Sequence, residues 1–287
     1  MASDYEARPS TAAVMTLPPA MVTNGRDGTE PESLVPLTMH VPSSASSDAA
    51  SGDAVPATVL LPAYNEEIGL SVLLPSLLAL SHERFEVLVV DDGSTDSTAT
   101  LAEAFGCRVV RHSVNAGKGK AVRTGLRAAR GEKVVIMDAD DTYPVDAVLE
   151  IISRLDECEM VVGVRTLGRK NIPLVNRFGN AVLTAAIRFA SGSRWTDPLT
   201  GFYGLRRNAL ERMDLRSNGF SVEAEIAIKS TRLGLRVADH PIVYRARAGA
   251  SKLRPMRDGI KIAAVIAAFG VRRLARGCAA SVAPFLP

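Results

Sequence analysis

From residue 57 onward the chain alternates two hydrophobic textures. Short unbroken apolar runs, such as Val59-Leu60-Leu61 and Val87-Leu88-Val89-Val90, read as strands buried on both faces. Between them lie stretches long enough for helices. The pattern predicts strands over residues 58–61, 85–90, 108–110 and 131–136. It predicts a helix ending near Leu80, a second after Asp96, and a third that opens at Asn115-Ala116-Gly117-Lys118-Gly119-Lys120 and ends near Gly131. Strands alternating with helices at this spacing imply an α/β protein with a parallel, doubly wound sheet.

The second half is less regular. A strand is predicted over residues 160–164, then a basic loop over 165–170 and a helix over 174–190. The run Thr196-Asp197-Pro198-Leu199-Thr200-Gly201-Phe202 reads as a turn leading into a short strand. A helix starts at Ser221, a strand covers 237–244, and a last helix begins near Arg257. No internal repeat is visible. Residues 1–55 lack a sustained period and are rich in Pro, Ser, Thr, Ala and Gly, which predicts a disordered arm.

Charge changes this picture. The 287 residues carry a net charge of +3, yet the arm holds seven acids and two bases, which leaves the remainder near +8. A basic body suits phosphorylated substrates, an anionic membrane surface or nucleic acid. An aromatic content of 5% argues against nucleic acid, because the basic segments lack interleaved stacking residues. Cys107, Cys158 and Cys278 are far apart and read as reduced, small hydrophobic residues. The four histidines are scattered and form no zinc-type cluster. No secretory leader and no apolar run of membrane-spanning length is apparent, so a cytoplasmic protein is expected.

The candidate chemistry centres on Met137-Asp138-Ala139-Asp140-Asp141-Thr142-Tyr143-Pro144. The preceding strand delivers these carboxylates at its C-terminal end, the edge of an open α/β sheet where ligands bind. Asp138 and Asp140, one residue apart, can reach one hard cation, and such a metal suits a diphosphate. Helix capping by Asp140 or Asp141 is the plain alternative. Asp91 and Asp92 end the second strand and can accept hydrogen bonds from a base or a ribose hydroxyl. Gly117-Lys118-Gly119-Lys120 fails both the P-loop and the G-x-G-x-x-G templates, which disfavours a dehydrogenase. It can hold a phosphate at a helix N-terminus or simply allow close chain approach. Glu223 and Glu225, two apart on a predicted helix, are expected to face different ways, one into a cleft and one into solvent. Residues 245–276 hold nine basic residues and one acid around an apolar stretch, as in a helix that lies in a bilayer interface or one that joins the core.

The ordered set Pro62-Ala63-Tyr64-Asn65-Glu66, Val90-Asp91-Asp92-Gly93-Ser94-Thr95-Asp96, Asn115-Ala116-Gly117-Lys118-Gly119 and Asp138-Ala139-Asp140 resembles family 2 glycosyltransferases of the GT-A fold. Asp197-Pro198-Leu199-Thr200-Gly201-Phe202, Gly219-Phe220 with Glu225-Ile226, and Arg247 through Leu253 are similar to the dolichyl-phosphate mannose synthase branch. The resemblance spans about residues 57–270. It implies a mixed, mostly parallel sheet, a nucleotide-diphosphate sugar donor and a polyprenyl phosphate acceptor. It also implies that Pro62, Tyr64, Glu66, Asp91, Asp92, Gly117 and Ala139 line the nucleotide-sugar pocket, and that Asp138 and Asp140 hold Mg²⁺ or Mn²⁺. Arg165 and Arg177 would bind phosphate, with Arg247 and Lys252 over the reacting groups.

Two departures matter. Asp141-Thr142-Tyr143-Pro144 stands where mannose synthases often carry Leu-Gln-His-Pro, so a UDP-sugar is favoured over a GDP-sugar. The transmembrane extension of some relatives is not seen after the last helix. The sequence thus predicts an arm over 1–55, a glycosyltransferase domain over 56–254 and an interfacial helix and tail over 255–287. The expected reaction is metal-dependent transfer with inversion, with Asp140, Glu225, Arg247 and Lys252 at the chemistry and Glu225 positioning the acceptor. The alternatives are a soluble acceptor, with Glu225 or Asp197 as base, and a non-catalytic binding module, against which the intact Asp138-Ala139-Asp140 argues.

Overall fold

A computed structural model describes residues 55–81, 84–247, 249 and 251–281, with side chains as far as 271. The expected arm, Val55 apart, lies outside the described residues. The first half alternates as the periodicity predicts: β1 (Ala57–Ala63), α1 (Glu67–Ser81), β2 (Glu86–Asp91), α2 (Thr98–Ala104), β3 (Arg108–Arg111), α3 (Lys118–Ala128) and β4 (Lys133–Ile136). Then come α4 (Ala147–Arg154), β5 (Met160–Leu167), α5 (Leu174–Ser191), β6 (Tyr203–Arg206) and α6 (Arg207–Met213). The chain continues through α7 (Val222–Arg232), β7 (Val237–Val243) and α8 (Pro255–Ser281). The short helices α4 and α6 add to the expected set.

The strands form one sheet in the order β3-β2-β1-β4-β6-β5-β7. All pairings are parallel except those of β6, which runs against both β4 and β5. The sheet is therefore mixed and mostly parallel. The reversal has a consequence for the edge where β1, β2 and β4 end. β6 starts there, so the turn that feeds it brings Gly201 beside the loop after β4.

Both faces are covered, which is why the strands read as continuous apolar runs. Leu60, Leu88, Val90, Val134 and Ile136 face a core shared with α3, α5, α7 and α8. Val59, Leu61, Val87, Val89 and Val135 face the other way, onto α1 and α4. Leu70, Leu73, Leu74 and Leu77 of α1 are fully buried. Each contributes about 2 kcal/mol of burial.

The predicted interfacial helix α8 is partly a core helix. Its Ile262 and Ile266 pack with Ile187 and Ala190 of α5. Among the described residues nothing covers its other, apolar face, where Met256, Ile260 and Val271 are exposed. Neighbouring α5 exposes Leu174, Val175, Phe178, Val182 and Phe189. Among the described residues, no helix is long and apolar enough to cross a membrane.

Candidate active site

Parallel β1, β2 and β4 deliver three of the sequence motifs to one edge, around a cleft of about 410 Å³. Pro62, Tyr64, Glu66, Asp92 and Gly117 line it, as do Asp138, Ala139, Asp140, Arg247 and Lys252. Ten of the residues singled out in the sequence thus converge.

The acidic loop is held in shape by its neighbours. Asp141 adopts a left-handed conformation with φ 60°. That turn lets Asp140 Oδ1 accept hydrogen bonds from the Thr142 hydroxyl at 2.6 Å and the Thr142 amide at 3.2 Å. A Cβ on Gly201 would stand 2.1 Å from Asp138 Oδ2, so only glycine leaves the carboxylate its place. The Gly201 amide donates to the buried Tyr143 hydroxyl at 2.7 Å, which fixes this approach.

Side-chain cations sit on the carboxylates. Lys118 Nζ lies 2.5 Å from Asp138 Oδ1 and 2.6 Å from Glu223 Oε1. Arg247 Nη1 lies 2.7 Å from Asp140 Oδ2, and its Nη2 bonds Glu66. Lys252 Nζ is 3.1 Å from Glu66 Oε1 and donates to the Asn65 carbonyl at 2.6 Å. Burial raises the carboxyl of Glu66 above its ordinary range, against the pull of Arg247 and Lys252. Burial and the neighbouring Asp138 do the same to Asp140. Burial also raises Glu223. For Lys118 burial works against the charge, but Asp138 and Glu223 outweigh it and hold the ammonium protonated.

These oxygens suit a hard divalent ion. Glu66 Oε2, in the cleft wall, is buried without a hydrogen-bond partner, so negative charge in the cleft is not fully satisfied. Among the described residues there is no cluster of three or more protein ligands that makes a cage by itself. Two carboxylates open to a cleft fit Mg²⁺ or a similar ion, which binds through one or two carboxylates plus substrate phosphates.

The other wall is built from backbone. Asp92 accepts from the Ala116 amide at 3.0 Å and the Gly117 amide at 2.7 Å, and His112 Nδ1 lies 2.6 Å from it. Both its oxygens therefore shape the 115–117 loop. Gly117, at φ 94°, and Gly119 sit against the Asn218 and Ser217 carbonyls, where a Cβ would come within 2.5 and 2.2 Å. The glycines of this motif serve close chain approach, and Lys118 serves the carboxylates.

Four expected residues lie elsewhere. Asp91 is buried beneath the edge and accepts from the Ser94 amide at 3.0 Å. Arg165 is engaged by Asp197, with Nε at 2.7 Å and Nη2 at 2.6 Å, and lies over the Tyr244 ring. A buried guanidinium requires such a partner, and Arg165 does not line the cleft. Arg177 is exposed on α5 and does not line the cleft. Glu225, expected to position the acceptor, accepts from the Arg216 and Ser217 amides and pairs with Lys229 at 2.7 Å. It holds the 214–221 loop. Its companion Glu223 is buried on Lys118, so neither glutamate takes the solvent face expected for one of the pair.

The model of Glycosyl transferase family 2 matches residues 58–214, which include the first three strand-end motifs and Gly201. The chain is a family 2 glycosyltransferase. It is 34% identical over 206 residues to "Dolichyl-phosphate hexose transferase" of Haloferax volcanii, covering 71% of this chain and 89% of that one. It is 30% identical to "Dolichol-phosphate mannosyltransferase" of Pyrococcus furiosus, over 69% of this chain and 59% of that one. These relatives bear out the resemblance to the dolichyl-phosphate mannose synthase branch. In structure it is similar to glucosyl-3-phosphoglycerate synthase from Mycobacterium tuberculosis bound to Mn²⁺, UDP-glucose and phosphoglyceric acid. The TM-score is 0.61 at 29% identity, covering 76% of this chain and 79% of that one. The sheet of this glycosyltransferase is thus the expected GT-A fold.

The sequence reading missed the tasks of Lys118 and Glu223, and the cleft residues Arg254, Arg257 and Lys261. The Gly-Lys-Gly motif did mark Lys118, but nothing local points to Glu223 as its partner. The three cations were visible only as part of a basic segment.

Proposed function

We propose that this glycosyltransferase moves a sugar from a nucleotide-diphosphate sugar to a polyprenyl phosphate at a membrane surface, with inversion. The observation that carries the reading is the cleft itself. Paired strand-end carboxylates, Asp138 and Asp140, face a wall of cations, beside two helices whose outer faces are apolar and exposed among the described residues. A divalent ion held by Asp138 and Asp140 would neutralise charge on the leaving diphosphate.

The acceptor phosphate oxygen forms the new bond to C1 as the bond from C1 to the nucleotide diphosphate breaks, and that electron pair leaves with the diphosphate. A phosphate monoester is already anionic near neutrality, so no strong base is needed. Glu225 and Asp197, which would have to deprotonate a hydroxyl, are engaged in ion pairs away from the cleft. Arg247 and Lys252 are placed to turn from Glu66 and Asp140 to phosphate oxygens, positioning the acceptor and stabilising charge. UDP is favoured over GDP. Thr142 takes the place of a metal-coordinating glutamine and orients Asp140, and the structural relative carries UDP-glucose.

The similarity to a phosphoglycerate-glucosylating enzyme favours a second reading, a soluble phosphorylated acceptor. A panel of UDP- and GDP-sugars with Mn²⁺, offered with a short polyprenyl phosphate or with 3-phosphoglycerate, separates the two. Transfer to the lipid phosphate supports the first. Transfer only to the soluble acceptor replaces it with the second.

A further inference from the structure

The acceptor phosphate needs more cations than Arg247 and Lys252 supply by turning from their carboxylates. Arg165 is engaged by Asp197, and Arg177 does not line the cleft. Arg247 and Lys252 already carry Glu66 and Asp140. Three more cations line the same cleft, Arg254, Arg257 and Lys261. No ion pair engages any of them among the described residues. Arg257 and Lys261, four residues apart, share one face of the start of α8, and Arg254 immediately precedes the helix. Asp258 lies among them, and its carboxylate accepts from the Arg254 amide at 2.8 Å, at the helix N-terminus. Three cations gathered around one carboxylate, with no ion pair among the described residues, repel one another, and a phosphate dianion relieves that repulsion.

The adjoining face of the same two turns is apolar. Met256 is 79% exposed and Ile260 67% exposed. Neither belongs to the cleft wall, and both continue along α8 toward exposed Val271. A small sugar-type phosphate would use the cations and leave this stripe bare. An amphiphile uses both. Resting on the lipid-phosphate reading above, we infer that the first two turns of α8 are the acceptor subsite. Arg254, Arg257 and Lys261 receive a phosphate monoester, and Met256 and Ile260 receive the first part of the apolar chain that it carries.

Calorimetric titration of the full chain with farnesyl phosphate, inorganic phosphate and farnesol tests this. Farnesyl phosphate should bind more tightly than either control. Arg257→Met with Lys261→Met should weaken it by at least about tenfold, the equivalent of one charge-assisted hydrogen bond, with the thermal transition unchanged. Met256→Ser with Ile260→Ser should weaken farnesyl phosphate and spare inorganic phosphate. Unchanged farnesyl phosphate binding in the cation variant overturns the subsite, as does a wild-type chain that binds no phosphate monoester. Equal binding of inorganic and farnesyl phosphate overturns the apolar half and points to a soluble acceptor. A cation variant that loses only its sedimentation with phosphatidylglycerol vesicles would make these residues a membrane contact, which also overturns it. If farnesyl phosphate binds as expected but receives no sugar, the subsite stands and the proposed reaction falls.

Discussion

Lys118 and Glu223 meet inside the protein, Nζ to Oε1 at 2.6 Å, with side chains only 12% and 7% exposed. The same ammonium reaches Asp138, so one lysine ties α3 and α7 to the loop after β4. Lys118→Met would leave Glu223 buried and unpaired, at a cost of about 3–5 kcal/mol. Adding Glu223→Gln removes the stranded charge and should recover much of that loss. Urea unfolding of the two single variants and the double variant measures the coupling. Strictly additive losses would show that the pair does not act as a unit.

Gly201→Ala puts a methyl group where the Asp138 carboxylate lies. The carboxylate must turn away while the core stays packed. Mn²⁺ binding, followed by the loss of its free-ion EPR signal, should weaken together with turnover, by at least about tenfold each. A variant that binds Mn²⁺ as tightly as wild type would remove Asp138 from the metal assignment.

Asp138→Asn and Asp140→Asn keep size and lose charge. Each should reduce transfer by about 10²–10³-fold, the scale of losing one group that stabilises transition-state charge. Their thermal transitions should stay near wild type, because burial already disfavours the charge of Asp140 and Lys118 keeps Glu223 as a partner when Asp138 is neutralised. Wild-type transfer should stop with a chelator and return with Mg²⁺ or Mn²⁺. Full turnover in metal-free buffer would refute the metal requirement.

Glu225 is held below its ordinary value of 4.5 although burial opposes this, because Lys229 and the Ser217 and Arg216 amides outweigh burial. A depressed carboxyl stabilises the fold above the unfolded pKa, and that contribution is lost as the pH falls through the folded value. Glu225→Gln should therefore be less stable than wild type at pH 7, by about 1–3 kcal/mol. The gap should close in acid below the folded pKa. A gap that persists unchanged through that range would mean the glutamate acts through packing. A large loss of turnover at unchanged stability would return Glu225 to the chemistry.

Much of the site was legible because parallel strands end on one edge. Once Val59-Leu60-Leu61, Val87 to Val90 and Val134-Val135-Ile136 read as parallel strands, the residues after each had to lie together. Asp138 and Asp140 also announce themselves by spacing alone. Arg165 did not, because a cation in a basic loop reads as free until Asp197, on a distant turn, is seen to hold it. Helical period alone gives Glu223 and Glu225 one cleft face and one solvent face. α7 is buried nearly all round, so both found partners inside.

By itself the sequence determined the alternation of strands and helices, the edge that carries the acids and the family to which the chain belongs. These follow from local periodicity and from short motifs in a given order. Only the tertiary structure decided which cation neutralises which acid. A buried charge takes whatever partner the fold brings within hydrogen-bond reach, as Lys118 takes Asp138 and Glu223 from different elements. It also decided that α5 and α8 each keep an apolar face that no other described residue covers. An amphipathic period shows that a helix has such a face, and packing alone determines whether anything covers it.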